Sequence, residues 1–226
     1  MYILGITNGE TSSACLLVNQ KLVAAASEER FSRIKLDNSF PLKSINYVLK
    51  EGKISLSKVD KICYSWSKGF QEELILTYFD RIIYEVKKNP KGLKLFRDRI
   101  SVELARDKIK RKEFYDFLKK NKVEDKGKIY NHHKAHMYSA LCYSGYSDAL
   151  IISSDGRGDF ESLSVSELNN NEIKKIYSAV SNDSLGTFYA RVSKLLGFKP
   201  HRHEGKVTGL SANGDYTKCI KFFKKM

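Results

Sequence analysis

Residues 2–27, YILGITNGETSSACLLVNQKLVAAAS, carry the reading from which the rest of the fold follows. Apolar runs at 2–7 and 14–18 are separated by the polar, small-residue stretch Asn8-Gly9-Glu10-Thr11-Ser12-Ser13. A third run, Lys21 to Ser27, follows Asn19-Gln20. Strand-length apolar runs broken by Asn, Gly and Ser predict an antiparallel meander of three strands. The first turn is rich in backbone N–H donors, which suits an anion cradle, although an ordinary hairpin has the same composition.

Working outward, Pro41 to Leu49 places apolar residues at helical spacing after Ser39-Phe40, and Val59 to Tyr64 reads as a fourth strand. A long helical stretch is expected from about 70 to 122, broken near Asn89-Pro90-Lys91-Gly92. Lys128-Ile129-Tyr130 leads into a helix from His132 to Tyr143. Ala149 to Ser154 reads as a buried strand that stops at Asp155-Gly156-Arg157-Gly158. Leu163–Leu168 and Ile173–Val180 then form a hairpin around Asn169-Asn170-Asn171, and a helix from Leu185 to Leu196 ends at Gly197. Hairpins mixed with helical crossovers make the class α/β with a mixed sheet, in one unit spanning 1–226. The helical segment 70–127 looks added to a sheet-centred core.

Composition supports a folded chain. Hydrophobic residues make up 42% and aromatics 12% of 226 positions, enough for a sizeable core. No run approaches the roughly 18 apolar residues of a membrane span. The first ten residues read as a strand rather than a secretion signal, which gives a cytoplasmic expectation. Four widely spaced cysteines form neither a CxxC pair nor a disulfide framework. The formal charge is +14, with 16 Lys/Arg against 8 Asp/Glu between Arg81 and Lys126. A basic balance invites a nucleic-acid reading. Here the charges mix in sign at helical spacing around Leu104, Ile109, Phe114, Phe117 and Leu118, as on a solvated helix face, and no nucleic-acid signature accompanies them.

Chemistry concentrates in Asn131-His132-His133-Lys134-Ala135-His136, which holds three of the five histidines. His132 and His136 are four apart, so a helix puts them on one face, where they can grip one metal ion. Asp155, at the C-terminal end of a strand, is the candidate third ligand. Two histidines and a carboxylate suit iron, zinc or manganese alike. Gly156 and Gly158, directly after a strand, would let a phosphate approach the backbone. His203 to Gly214, HEGKVTGLSANG, sets Lys206 among Gly205, Gly209 and Gly214, a pattern that suits a phosphate or sugar contact as well as a plain loop. Glu28 to Lys35 is dense in charge, a strand end or the rim of a cleft.

In order, ILGITNGETSSACLL, VAAASEERFSRIK, SFP, NHHKAH, SSDGRG, SLGTFYARVSKLLGF and EGKVTGLSANGD resemble the carbamoyltransferases of nodulation-factor and antibiotic biosynthesis over nearly the whole chain. The resemblance implies the first lobe of an actin-like ATPase (ribonuclease H-like) domain similar to the TsaD-type enzymes. It implies transfer of a carbamoyl group, from carbamoyl-adenylate made with carbamoyl phosphate and ATP, to a hydroxyl of a small-molecule acceptor, with iron in the site. The family's HxxxH pattern falls on His132 and His136 and its strand-end Asp on Asp155. Its nucleotide turns fall on Gly156, Gly158, Gly205 and Gly209, with Lys206 beside them. Candidates for proton transfer are Glu10, which stands where the family usually has a histidine, and His133. Family chains run to more than twice this length, so the second lobe, its metal ligand and the YrdC-like domain are expected from elsewhere in a longer protein or from a separate chain. A metal- or nucleotide-binding partner subunit without catalysis is the alternative. Neither a membrane nor a nucleic acid is expected as a partner.

Overall fold

Alternation of apolar and polar residues in 2–27 does give three antiparallel strands, β1 (Tyr2–Asn8), β2 (Ser12–Val18) and β3 (Lys21–Ser27). In the computed structural model, which describes residues 1–67, 78–79, 82–84, 87–88, 90–170 and 172–225, β1 also pairs in parallel with β4 (Lys61–Tyr64). β4 in turn pairs in parallel with β5 (Gly127–Ile129). The resulting five-stranded sheet has the order β3-β2-β1-β4-β5 and is mixed, as expected of a ribonuclease H-like lobe. β5 was not foreseen, because three residues carry too little periodicity to register as a strand.

One face of this sheet builds the main core. Leu4, Ile6, Ala14, Leu16, Ile62 and Tyr64 pack against Ile45, Val48 and Leu49 of α2 (Leu42–Glu51) and against Phe114, Phe117 and Leu118 of α3 (Pro90–Lys120). The segment 28–35 is a short helix, α1 (Glu29–Ser32), rather than a strand end. Glu28 is buried just before it, and its carboxylate accepts from the Lys43 and Ser44 backbone N–H groups at 3.0 and 2.8 Å. A carboxylate against the unpaired donors of a helix start fixes α2 over the sheet.

α3 corrects the view of 70–127 as an appendage, within the part that the described residues cover. Its inward face is not the one read from the sequence, since Leu104 and Ile109 are exposed while Glu103 and Asp107 are buried with Phe114, Phe117 and Leu118. Two buried carboxylates in a helix need cations, and Arg157 from the second sheet supplies one. Its guanidinium lies 2.5 Å from Asp107 and 3.8 Å from Glu103. The helix therefore joins the two sheets. Residues 82–84, 87–88 and Pro90–Lys120 are helical; Asn89, beside which the break was expected, lies outside the described residues, as do 68–77.

The second sheet is antiparallel, with β6 (Ala149–Gly158), β7 (Glu161–Asn169) and β8 (Glu172–Val180) in that order. α4 (His132–Ser144) packs on it through Met137 and Leu141 against Ile151 and Leu168. β6 is buried on one face only: Ile151 and Ser153 are covered, whereas Leu150 and Ile152 are exposed. Nor does it stop at Asp155. The strand continues to Gly158 with a register shift between Ser154 and Gly158. The chain ends in α5 (Leu185–Leu195), α6 (Glu204–Leu210) and α7 (Thr217–Phe223). No helix among the described residues is long and apolar enough to cross a membrane.

Candidate metal centre

The irregularity in β6 is what aims Asp155. Ser154 pairs with Leu163 and Gly158 with Glu161, so three residues between them have no regular partner on β7. A bulge of this kind turns a side chain out of the strand's normal alternation. α4 delivers the other two groups. Asn131 caps it, the side-chain oxygen accepting from Lys134 N at 2.8 Å. The first turn then places His132 and, four residues on, His136 on one face. His132 Nε2 lies 2.8 Å from Asp155 Oδ2, His136 Nε2 lies 3.5 Å from the same oxygen, and the two Nε2 atoms are 3.0 Å apart. The three ligand atoms lie within 4.8 Å of one another.

The tautomer of His132 follows from its neighbours. Its Nδ1 sits 3.1 Å from the Ser65 carbonyl, which can only accept, so Nδ1 carries the hydrogen. Nε2 then faces a second imidazole nitrogen and a carboxylate. A proton on Nε2 of either ring bridges this contact; without it the three atoms present lone pairs to one metal ion. A carbonyl orienting the far nitrogen of a ligating histidine is also the usual support for a metal site. Burial works against charge on Asp155. Hydrogen bonds from His132 and His136 and the Gly156 N–H overcome it and hold the carboxyl well below its usual range. Two imidazoles, a carboxylate and open positions toward a cleft fit a divalent transition metal.

His132 is clamped on both faces. A Cβ on Gly158 would lie 1.9 Å from the ring, so glycine there makes room for the imidazole. The Trp66 ring covers the other side at 4.2 Å between centroids, and the Arg157 guanidinium sits 5.6 Å from the Trp66 centroid. Asp159, fully buried with φ 51°, holds the helix start. Its carboxylate accepts from His132 N at 2.7 Å, Asn131 Nδ2 at 3.2 Å and Ser67 N at 2.9 Å. Among the described residues no comparable support reaches His136, whose side chain is half exposed. Sequence reasoning missed Ser65, Trp66 and Asp159. Only Asp159 carried a legible signal, being the acid that closes DGRGD, where its side chain would cap a following turn.

The remaining expected residues fall in different places. His133 is 1% exposed; its Nε2 donates to the Glu161 carbonyl at 3.0 Å, and its Nδ1 accepts from Ser153 Oγ at 3.1 Å. Burial pushes its pKa down to about 4. The expectation of a proton-transfer role for His133 is corrected accordingly: both nitrogens are engaged, and the ring pins α4 to the second sheet. Glu10 is exposed and paired with Arg106 at 2.9 Å, and it is not brought into the triad. In its turn the Asn8 side chain donates to Glu113 at 2.6 Å and accepts from Tyr64, while Ser12 N donates to the Asp37 carbonyl.

Gly156 lies beside the first turn of α5. Ser184 Oγ accepts from Thr187 N and donates to the Asp155 carbonyl, and a Cβ on Gly186 would lie 3.1 Å from Gly156 Cα. Lys206, Gly205 and Gly209 lie on the helix α6 rather than in a loop. α6 is held to α5 by Tyr189, whose hydroxyl donates to the Glu204 carbonyl at 3.0 Å. A Cβ on Gly156, Gly205 or Gly209 would meet nothing within 4 Å.

His132 and His136 open onto a cleft of about 1210 Å³ that runs over the first sheet, with Arg30 and Phe31 in its lining, as the charge density of 28–35 had suggested. Comparison with known proteins places this site in context. The family described as Carbamoyltransferase N-terminus matches residues 2–223. The chain is 33% identical to an uncharacterised protein of Methanocaldococcus jannaschii over 98% of its own length and 37% of that protein's. It is 30% identical to the nodulation protein NolNO of Sinorhizobium fredii over 90% of its length and 28% of that protein's. The chain thus spans about a third of the length of the curated relatives it matches. Among solved structures, YeaZ from Pseudomonas aeruginosa matches 79% of this chain and 66% of its own at 15% identity and a TM-score of 0.40.

Proposed function

Because this chain belongs to the carbamoyltransferase N-terminus family, we propose that it is the metal-holding lobe of an O-carbamoyltransferase. In this reading a carbamoyl group passes from carbamoyl-adenylate to a hydroxyl of a small-molecule acceptor, and AMP leaves. The observation that carries it is the convergence of His132 Nε2, His136 Nε2 and Asp155 Oδ2 on one point, where they can hold a metal ion. A divalent metal there, iron first among the candidates, supplies Lewis acidity toward the carbamoyl carbonyl. His132 is set for this before the metal arrives, by Ser65, Gly158 and Trp66, so little rearrangement is needed at the moment of reaction. The half-exposed side chain of His136 leaves one side of the site accessible to an acceptor.

Of the two groups considered for taking the acceptor's proton, Glu10 is kept in this reading because both nitrogens of His133 are engaged. Glu10 is solvent-facing, and its neighbour Gly9 packs on the Trp66 ring that covers His132. The nucleotide reading rests on Gly156, Gly205, Gly209 and Lys206; Gly158, expected among them, is taken up by the His132 ring. Helix α5 begins beside Gly156, and unpaired N–H groups at a helix start suit a phosphate. Glycine inside a helix costs about 1 kcal/mol against alanine. Gly205 and Gly209 sit in α6 with open space above them, which fits a ligand that comes close to the backbone.

The test supplies synthetic carbamoyl-adenylate and a panel of polyhydroxylated acceptors to the iron-loaded chain, alone and with the polypeptide that makes up the rest of the M. jannaschii relative. AMP release and carbamoyl ester formation that depend on His132 and His136 are the expected result. Ester formation undiminished in His132→Ala/His136→Ala would sink the reading, and Glu10→Gln with unchanged turnover would remove Glu10 from it.

A further inference from the structure

The five-stranded sheet is covered on one face only. Leu4, Ile6, Leu16, Ile62 and Tyr64 point toward α2 and α3. The residues that alternate with them look into the cleft of about 1210 Å³, which no described element fills. Its floor is a row in register across four strands, Ala25 on β3, Cys15 on β2, Gly5 on β1 and Cys63 on β4. α4 borders the cleft through Ala135 and Tyr138 but packs on the second sheet, and Phe31 and Tyr47 stand on the opposite side.

We infer that this cleft seats an amphipathic α-helix with acidic flanks, carried by the polypeptide that the relatives possess beyond the matched third. Three observations favour this occupant. A helix about 10–12 Å across, rising 1.5 Å per residue, fills roughly 120–170 Å³ per residue, so the cleft takes about 7–10 residues, or two to three turns. Small-molecule sites are usually about 300–1,000 Å³. The lining includes Arg30 and Lys134 and no Asp or Glu, on a chain of net charge +14. Finally, the relatives carry about two thirds of their length outside the region matched here. The floor row of small side chains lets a helix lie close to the strands, whereas large ones would hold it off. The inference does not depend on the metal or the reaction proposed above.

Cys15 and Cys63 on the floor provide the readout. In a Cys142→Ser/Cys219→Ser background, which removes the two exposed thiols, labelling of Cys15 and Cys63 by a bulky maleimide is timed with and without the remaining polypeptide of the M. jannaschii relative. Both thiols should be slowed about ten-fold or more by the added polypeptide, the equivalent of roughly 1.4 kcal/mol of protection. Ala25→Trp, which fills the floor, should abolish the protection. Arg30→Glu/Lys134→Glu, which reverses the rim charge at exposed positions, should weaken it while circular dichroism stays unchanged. Labelling unaffected by the polypeptide would overturn the inference, as would protection that survives both variants. A co-purifying small molecule that shields both thiols without the polypeptide would overturn it in favour of a ligand pocket.

Discussion

Asp155-Gly156-Arg157-Gly158 and Glu204-Gly205-Lys206-Val207-Thr208-Gly209 look alike as sequence: two glycines, one basic residue and an acid at the start. The fold treats them differently. In the first, nearly every side chain is used by the chain itself. Gly158 admits the His132 ring, Arg157 joins Asp107 and Glu103 to Trp66, and Asp155 faces two histidines. The second is a seven-residue helix with no buried residue, where a Cβ on either glycine would meet nothing within 4 Å. Glycine spacing alone therefore does not separate a position that the chain's own packing requires from one whose reason lies outside the chain. The test is what a Cβ would strike.

The largest effect expected from breaking this contrast is at Arg157. Removing it leaves the Asp107 carboxylate buried without its guanidinium, and burial already pushes that carboxyl up against the influence of Arg157. Arg157→Ala should cost about 3–5 kcal/mol in chemical denaturation, the range for breaking a buried pair from one side. A loss below about 1 kcal/mol, the range of a surface pair, would mean that α3 is not tied to the second sheet in this way.

Next comes Gly158→Ala, which drives a methyl group into His132. Overpacking of this kind costs about 1–3 kcal/mol, and displacement of the ring should weaken Co(II) binding at least about ten-fold by optical titration. Gly156→Ala, two residues earlier with open space, should leave Co(II) affinity unchanged. Equal effects at both glycines would remove the clamp from the account. The smallest change is expected at Gly209, with the opposite sign. Gly209→Ala should raise stability by up to about 1 kcal/mol, since the site is helical and unobstructed, while weakening ATP binding in equilibrium dialysis. Destabilisation there would show that α6 needs its glycine for reasons internal to the chain.

Much of this was legible in the sequence. The meander, the helix that carries His132 and His136, and the hairpin after Asp155 follow from periods of two and 3.6 and from Asn-rich turns. The pairing of His132, His136 and Asp155 follows from i, i+4 spacing and a strand end. Three things were hidden for physical reasons. β5 is too short to show a period. The inward face of α3 is polar at Glu103 and Asp107, and a hydrophobicity pattern reads buried carboxylates as solvated unless the distant Arg157 is known. The support around His132 comes from Ser65, Trp66 and Gly158, which lie 67, 66 and 26 residues away in the chain. His133 misled because a histidine beside two ligands invites a chemical role, whereas one position round the helix points it into the second sheet.

If His132, His136 and Asp155 form a metal site on this chain, elemental mass spectrometry will detect the ion they hold. The wild type and His132→Ala/His136→Ala would be purified without oxygen, dialysed against Fe(II) and then against metal-free buffer. The account predicts about one ion per chain in the wild type and none above background in the double variant, with unchanged circular dichroism. Stoichiometric metal that persists without the two histidines, or none retained by either protein, would contradict it.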